Sequence, residues 1–240
     1  MLFRLTVFLV ASVVLASPLQ QPLVTTRDTR AITKDGALAV ETFLVNNTNE
    51  MISAWKISLE FRLSNGRESG RAITRESLGT LAGFDKTGIA APPQGTAREV
   101  ILIGGPPDVT IDSATCTVEW AVFADGTWIG SSEGVDELFK QREREVAAWA
   151  VVADAMRIGS RAGGTGGLRA ALDYLDRNDQ EDRDHPTKNV MRANLRRALA
   201  QDRAIRATPD EFMRIWTSKA DARVKATSQY LVRRAMRTAR

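Results

Sequence analysis

The first half of the chain alternates hydrophobic and polar residues with a period of two. The clearest case is residues 55–63, where Trp, Ile, Leu, Phe and Leu occupy every second position. This pattern is typical of a half-buried antiparallel strand. Residues 36–45, 97–104 and 114–124 predict further strands, separated by turns rich in Gly, Pro and Asn. Several short strands without intervening helices predict a β-sandwich over residues 17–131.

The alternation also predicts which side chains fill the sandwich. Those expected between the two sheets are Trp55, Leu59, Phe61, Trp120 and Val122. Cys116 belongs to the same predicted strand face as Trp120, so we expect a small buried side chain there rather than a reactive thiol. Because it is the only cysteine, the chain forms no intrachain disulfide.

From residue 132 the hydrophobic residues recur every three or four positions, which predicts an all-α region over residues 132–240 with four helices. Its best boundary is a capping box, with Thr208 as N-cap, Pro209 at the first helical position and Glu211 two positions later. Gly159 is a natural helix end. It opens a glycine-rich hinge at residues 159–167.

That hinge raises the question of phosphate binding, because glycine-rich loops before helices cradle phosphates. A P-loop needs a Lys-Ser or Lys-Thr pair after its last glycine, but Leu168 and Arg169 follow Gly167. A dinucleotide fingerprint needs a strand before the glycines, and the sequence predicts a helix there. We therefore expect backbone freedom rather than nucleotide binding.

Residues 1–16 have the pattern of a secretory signal peptide. Arg4 is followed by a short apolar run, and Val14 and Ala16 are small residues at the −3 and −1 positions of a cleavage site. We expect cleavage between Ala16 and Ser17 and a secreted or periplasmic mature chain. Retention of the segment as an N-terminal anchor is the alternative. No later segment is apolar enough to span a membrane.

The residues that most catalytic and metal sites need are scarce. His185 is the only histidine, and no nucleophile elbow accompanies it. The acidic run from Asp176 lacks the glycine and the bidentate glutamate of a calcium loop. We expect no enzyme activity, no cofactor and no metal. A hydrolase that uses two distant carboxylates stays open, because sequence spacing does not reveal such a pair.

Charge is concentrated at the C-terminal end. Residues 188–240 contain 14 Lys or Arg and only 4 Asp or Glu. Arg192, Arg196 and Arg203 are spaced to share one helical face and are the candidate anion-binding residues. Met191, Leu195 and Leu199 lie about 100° round the helix from them and are expected to pack inward. A solvated face, partly neutralised by the acidic run, is the other interpretation.

Three stretches resemble exported bacterial immunoglobulin-like domains of the FxLYD type. They are "VNNTNEMISAWKISLEFRLSNGR", "APPQGTAREVILI" and "TCTVEWAVFADGTWIG". The resemblance covers residues 30–130 and consists mostly of turn chemistry. It implies an immunoglobulin-like fold and an envelope location rather than an activity.

Together these features predict an exported, non-catalytic binding or scaffolding protein of the cell envelope. Its expected partner is an anionic component, such as phospholipid or wall polymer, or another envelope protein. Nucleic acid is disfavoured by the export signal. The alternative function is a cell-envelope hydrolase.

Overall fold

The computed structural model describes residues 22–77, 79, 89–105, 108–177, 185–201 and 207–237. Its N-terminal part contains two antiparallel sheets. The seven strands are β1 (Val24–Lys34), β2 (Ala37–Asn46), β3 (Ile52–Leu63), β4 (Glu68–Glu76), β5 (Thr96–Leu102), β6 (Ile111–Phe123) and β7 (Trp128–Gly130). One sheet has the order β1-β2-β5 and the other β4-β3-β6-β7. The predicted signal peptide, residues 1–16, lies outside the described residues.

The two sheets share one hydrophobic core. The alternation in β3 correctly predicts which of its side chains point into that core. Trp55, Leu59 and Phe61 are all buried there. The indole Nε1 of Trp55 donates a hydrogen bond of 2.9 Å to the carboxylate of Glu99, which is itself fully buried. Burial raises the pKa of Glu99, and the guanidinium of Arg75, 2.9 Å away, opposes that rise.

The face predicted for β6 is wrong beyond its midpoint. Val118 pairs with Ile57 but Trp120 pairs with Lys56, so Glu119 is an extra residue in the strand, a β-bulge. An inserted residue reverses the direction of every side chain after it. Trp120 and Val122 are therefore buried on the opposite face of the sheet, under a helix.

The predicted buried thiol is confirmed. Cys116 precedes the bulge and lies in the core between the sheets. Burial raises the pKa of its thiol, against hydrogen bonds with the hydroxyls of Thr29 and Thr42. The side chain behaves as a small apolar group rather than a nucleophile.

Four helices occupy the described C-terminal part. They are α1 (Ser132–Ala162), α2 (Gly164–Arg177), α3 (Pro186–Leu199) and α4 (Pro209–Ser228). The predicted start of α4 is confirmed, since the side chain of Thr208 accepts a hydrogen bond from the amide of Glu211. No helix among the described residues is both long and apolar enough to cross a bilayer.

Helix α1 belongs to two separate cores. Its first turns place Val135, Leu138 and Phe139 over the outer face of the second sheet, against Trp120 and Val122. Its later turns pack with α2, α3 and α4 around a second cluster. The 31-residue helix therefore connects the sheets to the helical core.

The glycine-rich segment is a tight helix junction. Helix α1 continues past Gly159, the predicted end, and stops at Ala162, with Gly163 as its cap at a φ of 70°. Gly159 and Gly167 face each other across the junction. A Cβ on Gly159 would lie 2.7 Å from the carbonyl oxygen of Gly167 and 2.6 Å from the Met213 sulfur. These two glycines permit a close helix crossing, which the sequence pattern did not indicate.

Candidate functional site

A groove of about 530 Å³ between α1, α3 and α4 is the candidate site. We call it the tryptophan groove. Trp149 of α1 and Trp216 of α4 line it, and α3 supplies the apolar side chains of Pro186, Val190 and Met191. Val190 is 57 % exposed.

Each tryptophan ring of the groove holds a cation. The guanidinium carbon of Arg223 lies 4.9 Å from the centre of the Trp149 ring, and the Lys219 ammonium lies 4.8 Å from that of Trp216. These distances are within the range of cation–π attraction. Lys219 is exposed, and within the described part of the chain no carboxylate forms an ion pair with it. The rings therefore fix positive charge at the rim of the groove.

Glu145 organises the end of the groove where α1 meets α3. Its carboxylate accepts hydrogen bonds from Trp149 Nε1 at 2.6 Å and from the Thr187 hydroxyl at 3.0 Å. The Nε2 atom of His185 is 3.5 Å from the same carboxylate. His185 also serves as the N-cap of α3, because its Nδ1 accepts from the amide of Thr187. Glu145 thus holds the indole and the start of α3 in fixed positions.

A smaller cavity of about 200 Å³ adjoins the groove and shares Glu145, Trp149 and Arg223 with it. Its wall includes Arg142, a buried residue of α1. The guanidinium of Arg142 donates from Nε to one oxygen of Glu76 and from Nη2 to the other, at 3.0 and 3.2 Å. This pair ties α1 to the end of β4.

The predicted arginine face does not form as a unit. Arg192 is buried, and its guanidinium donates to the carbonyl oxygen of Leu175 and to the carboxylate of Asp176, both at 3.0 Å. It lies at the last turn of α2, where a cation satisfies the free carbonyls and complements the helix dipole. Arg192 therefore stabilises the contact between α2 and α3.

The remaining predicted residues differ in exposure. The side chain of Arg196 is 62 % exposed and reaches within 4.0 Å of Asp176. Arg203 lies outside the described residues. Met191 and Leu195 are buried, as the helical spacing predicts. Arg196 is thus the one predicted candidate that the described part of the chain presents to solvent.

Metal and nucleophile sites find no support in the described residues. No group of three or more His, Cys, Asp or Glu side chains there could hold a metal ion. Most of the acidic run considered for calcium lies outside the described part of the chain. His185 contacts the carboxylate of Glu145, and its Nδ1 accepts from the backbone amide of Thr187, whose hydroxyl donates to Glu145.

Sequence reasoning missed the groove because its residues come from three helices that are far apart in sequence. One local signal was present. Lys219 is three residues and Arg223 seven residues after Trp216, a spacing that puts both cations on the tryptophan side of α4. The contribution of Trp149 depends on how α1 crosses α4, which helical periodicity does not encode.

Comparison with protein families, curated proteins and solved structures finds no match to this chain.

Proposed function

We propose that the protein is an exported, non-catalytic binding protein of the cell envelope, with the tryptophan groove as its ligand site. The observation that carries this proposal is the pair of tryptophan rings that each hold a cation, Lys219 or Arg223, at the rim of one groove. Ligand sites typically combine apolar walls with a small number of convergent polar groups. Cations already fixed by the rings lose little freedom when an anion binds.

The ligand class that fits is an anion attached to an apolar or ring-shaped group. Lys219 and Arg223 supply the positive charge, while Pro186 and Val190 supply the apolar contact. A phospholipid head group and an acidic wall polymer both have this chemistry. Phosphate or carboxylate would pair with Arg223, whose planar guanidinium suits either anion.

Vesicle binding by charge-matched variants tests this assignment. Lys219→Glu and Lys34→Glu change the net charge equally, but Lys34 lies at the end of β1, in the other half of the protein. Each lysine near an anionic membrane contributes about 1 kcal/mol, so reversal at Lys219 should lower partitioning onto phosphatidylglycerol vesicles about 30-fold. Lys34→Glu should leave it nearly unchanged. Cosedimentation at several salt concentrations measures both.

Three outcomes would contradict the groove. Equal losses in both variants would mean that attraction is by net charge alone. A loss confined to Arg196→Glu would assign binding to the exposed face of α3 instead. No binding to phosphatidylglycerol vesicles or to soluble acidic polymer, even at low salt, would remove the anionic partner altogether.

The alternative function, a cell-envelope hydrolase, has one observation in its favour. Glu76 and Glu145 line the same cavity, and paired carboxylates are the usual machinery of glycoside hydrolysis. Both are engaged within the protein, Glu76 by Arg142 and Glu145 by Thr187 and Trp149. Hydrolysis of purified wall glycan by the wild type and its loss in Glu145→Gln would establish the hydrolase and refute a binding-only role.

We also propose that the sheet domain is of the immunoglobulin type, as the resemblance to FxLYD domains implies. A buried tryptophan on the third strand and a cysteine on the sixth are hallmarks of such domains. Trp55 and Cys116 occupy these strands, and Thr42, which hydrogen-bonds to the thiol, lies on β2, the strand that in antibody domains supplies the other cysteine. β4 pairs with β3 rather than joining the first sheet, so the proposed type is a variant of the antibody arrangement.

A further inference from the structure

The C-terminal segment, residues 231–237, extends the second sheet. We call it the tail. β7 is the outermost strand of that sheet, and the tail forms a parallel bridge to it at Trp128. The amide of Arg234 donates to the carbonyl oxygen of Gly126 at 2.9 Å, and that of Arg237 to the carbonyl of Trp128 at 2.7 Å. A strand edge offers such groups to any extended chain that fits beside it.

A specific pocket for one side chain accompanies these backbone bonds. Arg237 donates to the carboxylate of Asp125 at 2.8 Å and to the Thr127 hydroxyl at 2.5 Å. Its guanidinium carbon also lies 4.5 Å from the centre of the Phe123 ring. The Asp-Gly turn between β6 and β7 therefore has a second role as the receptor for an arginine.

Close approach at the turn depends on glycine. Gly126 adopts a φ of 84°, and a Cβ on it would overlap the carbonyl oxygen of Val232. The indole Nε1 of Trp128 donates to the carbonyl oxygen of Arg234 at 3.1 Å. The turn and β7 thus bind the tail through backbone hydrogen bonds and through a pocket for one arginine side chain. Peptide sites that work by strand addition combine the same two kinds of contact.

Little apolar surface holds the tail in place. Residues 232–236 are exposed, with Val232 at 58 % and Met236 at 51 %. Helix α4 ends at Ser228, so only a short link joins it to the tail. Segments with few buried apolar contacts open at low free-energy cost while the rest of the protein stays folded.

We infer that the edge of β7, with Asp125 as its arginine receptor, is a peptide-binding site that the tail occupies within its own chain and that the tail of a second copy can occupy between chains. The contacts made in either case are identical, which is why exchange of such elements is a common route to dimers. This inference does not depend on the proposed function.

A labelled peptide with the sequence of residues 229–237 tests the site, with full-length protein as receptor and fluorescence anisotropy as readout. The attached tail competes at an effective concentration in the millimolar range, so the wild type should bind the peptide weakly. Two variants should weaken the attached tail's own contacts and so leave the site open to the peptide. Arg237→Glu places a carboxylate against Asp125, and Arg234→Pro removes the amide that bonds to Gly126.

Both vacated variants should bind the peptide about tenfold or more tightly than the wild type does, because the competing tail is weakened. A scrambled peptide of the same composition is the control for charge. If neither variant binds more tightly than the wild type, or if the scrambled peptide binds equally well, the site does not exist.

A mixture of two full-length variants tests occupation by a second copy. Arg234→Pro supplies an open site with a defective tail, and Asp125→Asn supplies an intact tail with a weakened site. Each alone should sediment as a monomer, and the mixture should contain a heterodimer. A mixture that sediments like its separate components would overturn occupation between chains, whatever the peptide does.

Discussion

Gly167 and Gly166 are neighbours in α2 that should respond to alanine in opposite directions. A Cβ on Gly167 would lie 2.8 Å from Met213 Cε and even closer to the carbonyl oxygen of Gly159. A Cβ on Gly166 would have no atom within 4 Å. Both residues are helical, so alanine brings the same gain in helix propensity at each.

The expected magnitudes follow from two opposing effects. Glycine to alanine within a helix stabilises by about 1 kcal/mol. Overpacking a close contact costs about 1–3 kcal/mol, and the upper end applies at Gly167 because a backbone atom of α1 is the nearest obstacle. We expect Gly167→Ala to lower the free energy of unfolding by about 2 kcal/mol and Gly166→Ala to raise it by about 1 kcal/mol.

Thermal unfolding followed by circular dichroism at the helical band measures both changes. At about 2–4 °C per kcal/mol, the midpoint should fall by about 4–8 °C for Gly167→Ala and rise by about 2–4 °C for Gly166→Ala. If Gly167→Ala is as stable as Gly166→Ala, the close crossing of α1 and α2 is not present, and the glycine-rich segment serves only as a hinge.

Four further predictions concern other parts of the chain. Trp55→Ala should lower the free energy of unfolding in urea by about 3–5 kcal/mol, because it leaves a cavity in the core and removes the indole donor to the Glu99 carboxylate. A smaller loss would mean that the surrounding side chains collapse into the cavity. Arg192→Met should destabilise by about 2 kcal/mol, since a buried charged hydrogen-bond donor is lost, whereas Arg196→Met should fall within about 0.5 kcal/mol of wild type; equal effects would contradict the internal role of Arg192. Burial raises the pKa of Asp125, but hydrogen bonds from Thr127 and Arg237 outweigh this effect and set the pKa below its ordinary value of 3.8. Protection of the tail amides in hydrogen exchange should therefore be complete above pH 3.8 and decline at lower pH. Asp125→Asn should abolish this pH dependence, and if the dependence persists in the variant, another group causes it. Because residues 1–16 are a predicted signal peptide, N-terminal sequencing of the mature protein should begin at Ser17, and an intact Met1 would refute cleavage.

Local patterns predicted the secondary structure well because they depend on neighbouring residues. The period-two alternation of β3 identified the buried side of Trp55 and Leu59, and the capping signal identified the start of α4. The same alternation failed in β6, because the bulge at Glu119 shows only in the pairing of β6 with β3. Periodicity contains no information about where an extra residue interrupts a register.

The site was harder to predict because it depends on how the helices cross. The concentration of basic residues selected Arg192 as a candidate for anion binding. Its guanidinium instead donates a hydrogen bond to the carbonyl oxygen of Leu175 at the end of α2. The groove needs Trp149 and Trp216 from helices more than sixty residues apart. The basic tail is also partly neutralised by a non-local contact, since Arg237 pairs with Asp125 of the sheet domain.

The long helix α1 has a consequence for the order of assembly. Contacts among consecutive helices are short in sequence and form quickly, whereas pairing of β3 with β6 joins residues some sixty positions apart and is slower. Until that pairing is complete, Val135, Leu138 and Phe139 have no sheet to cover them. A chain whose helices form before that pairing would therefore expose these three apolar side chains to solvent, where they could contact other unfolded chains.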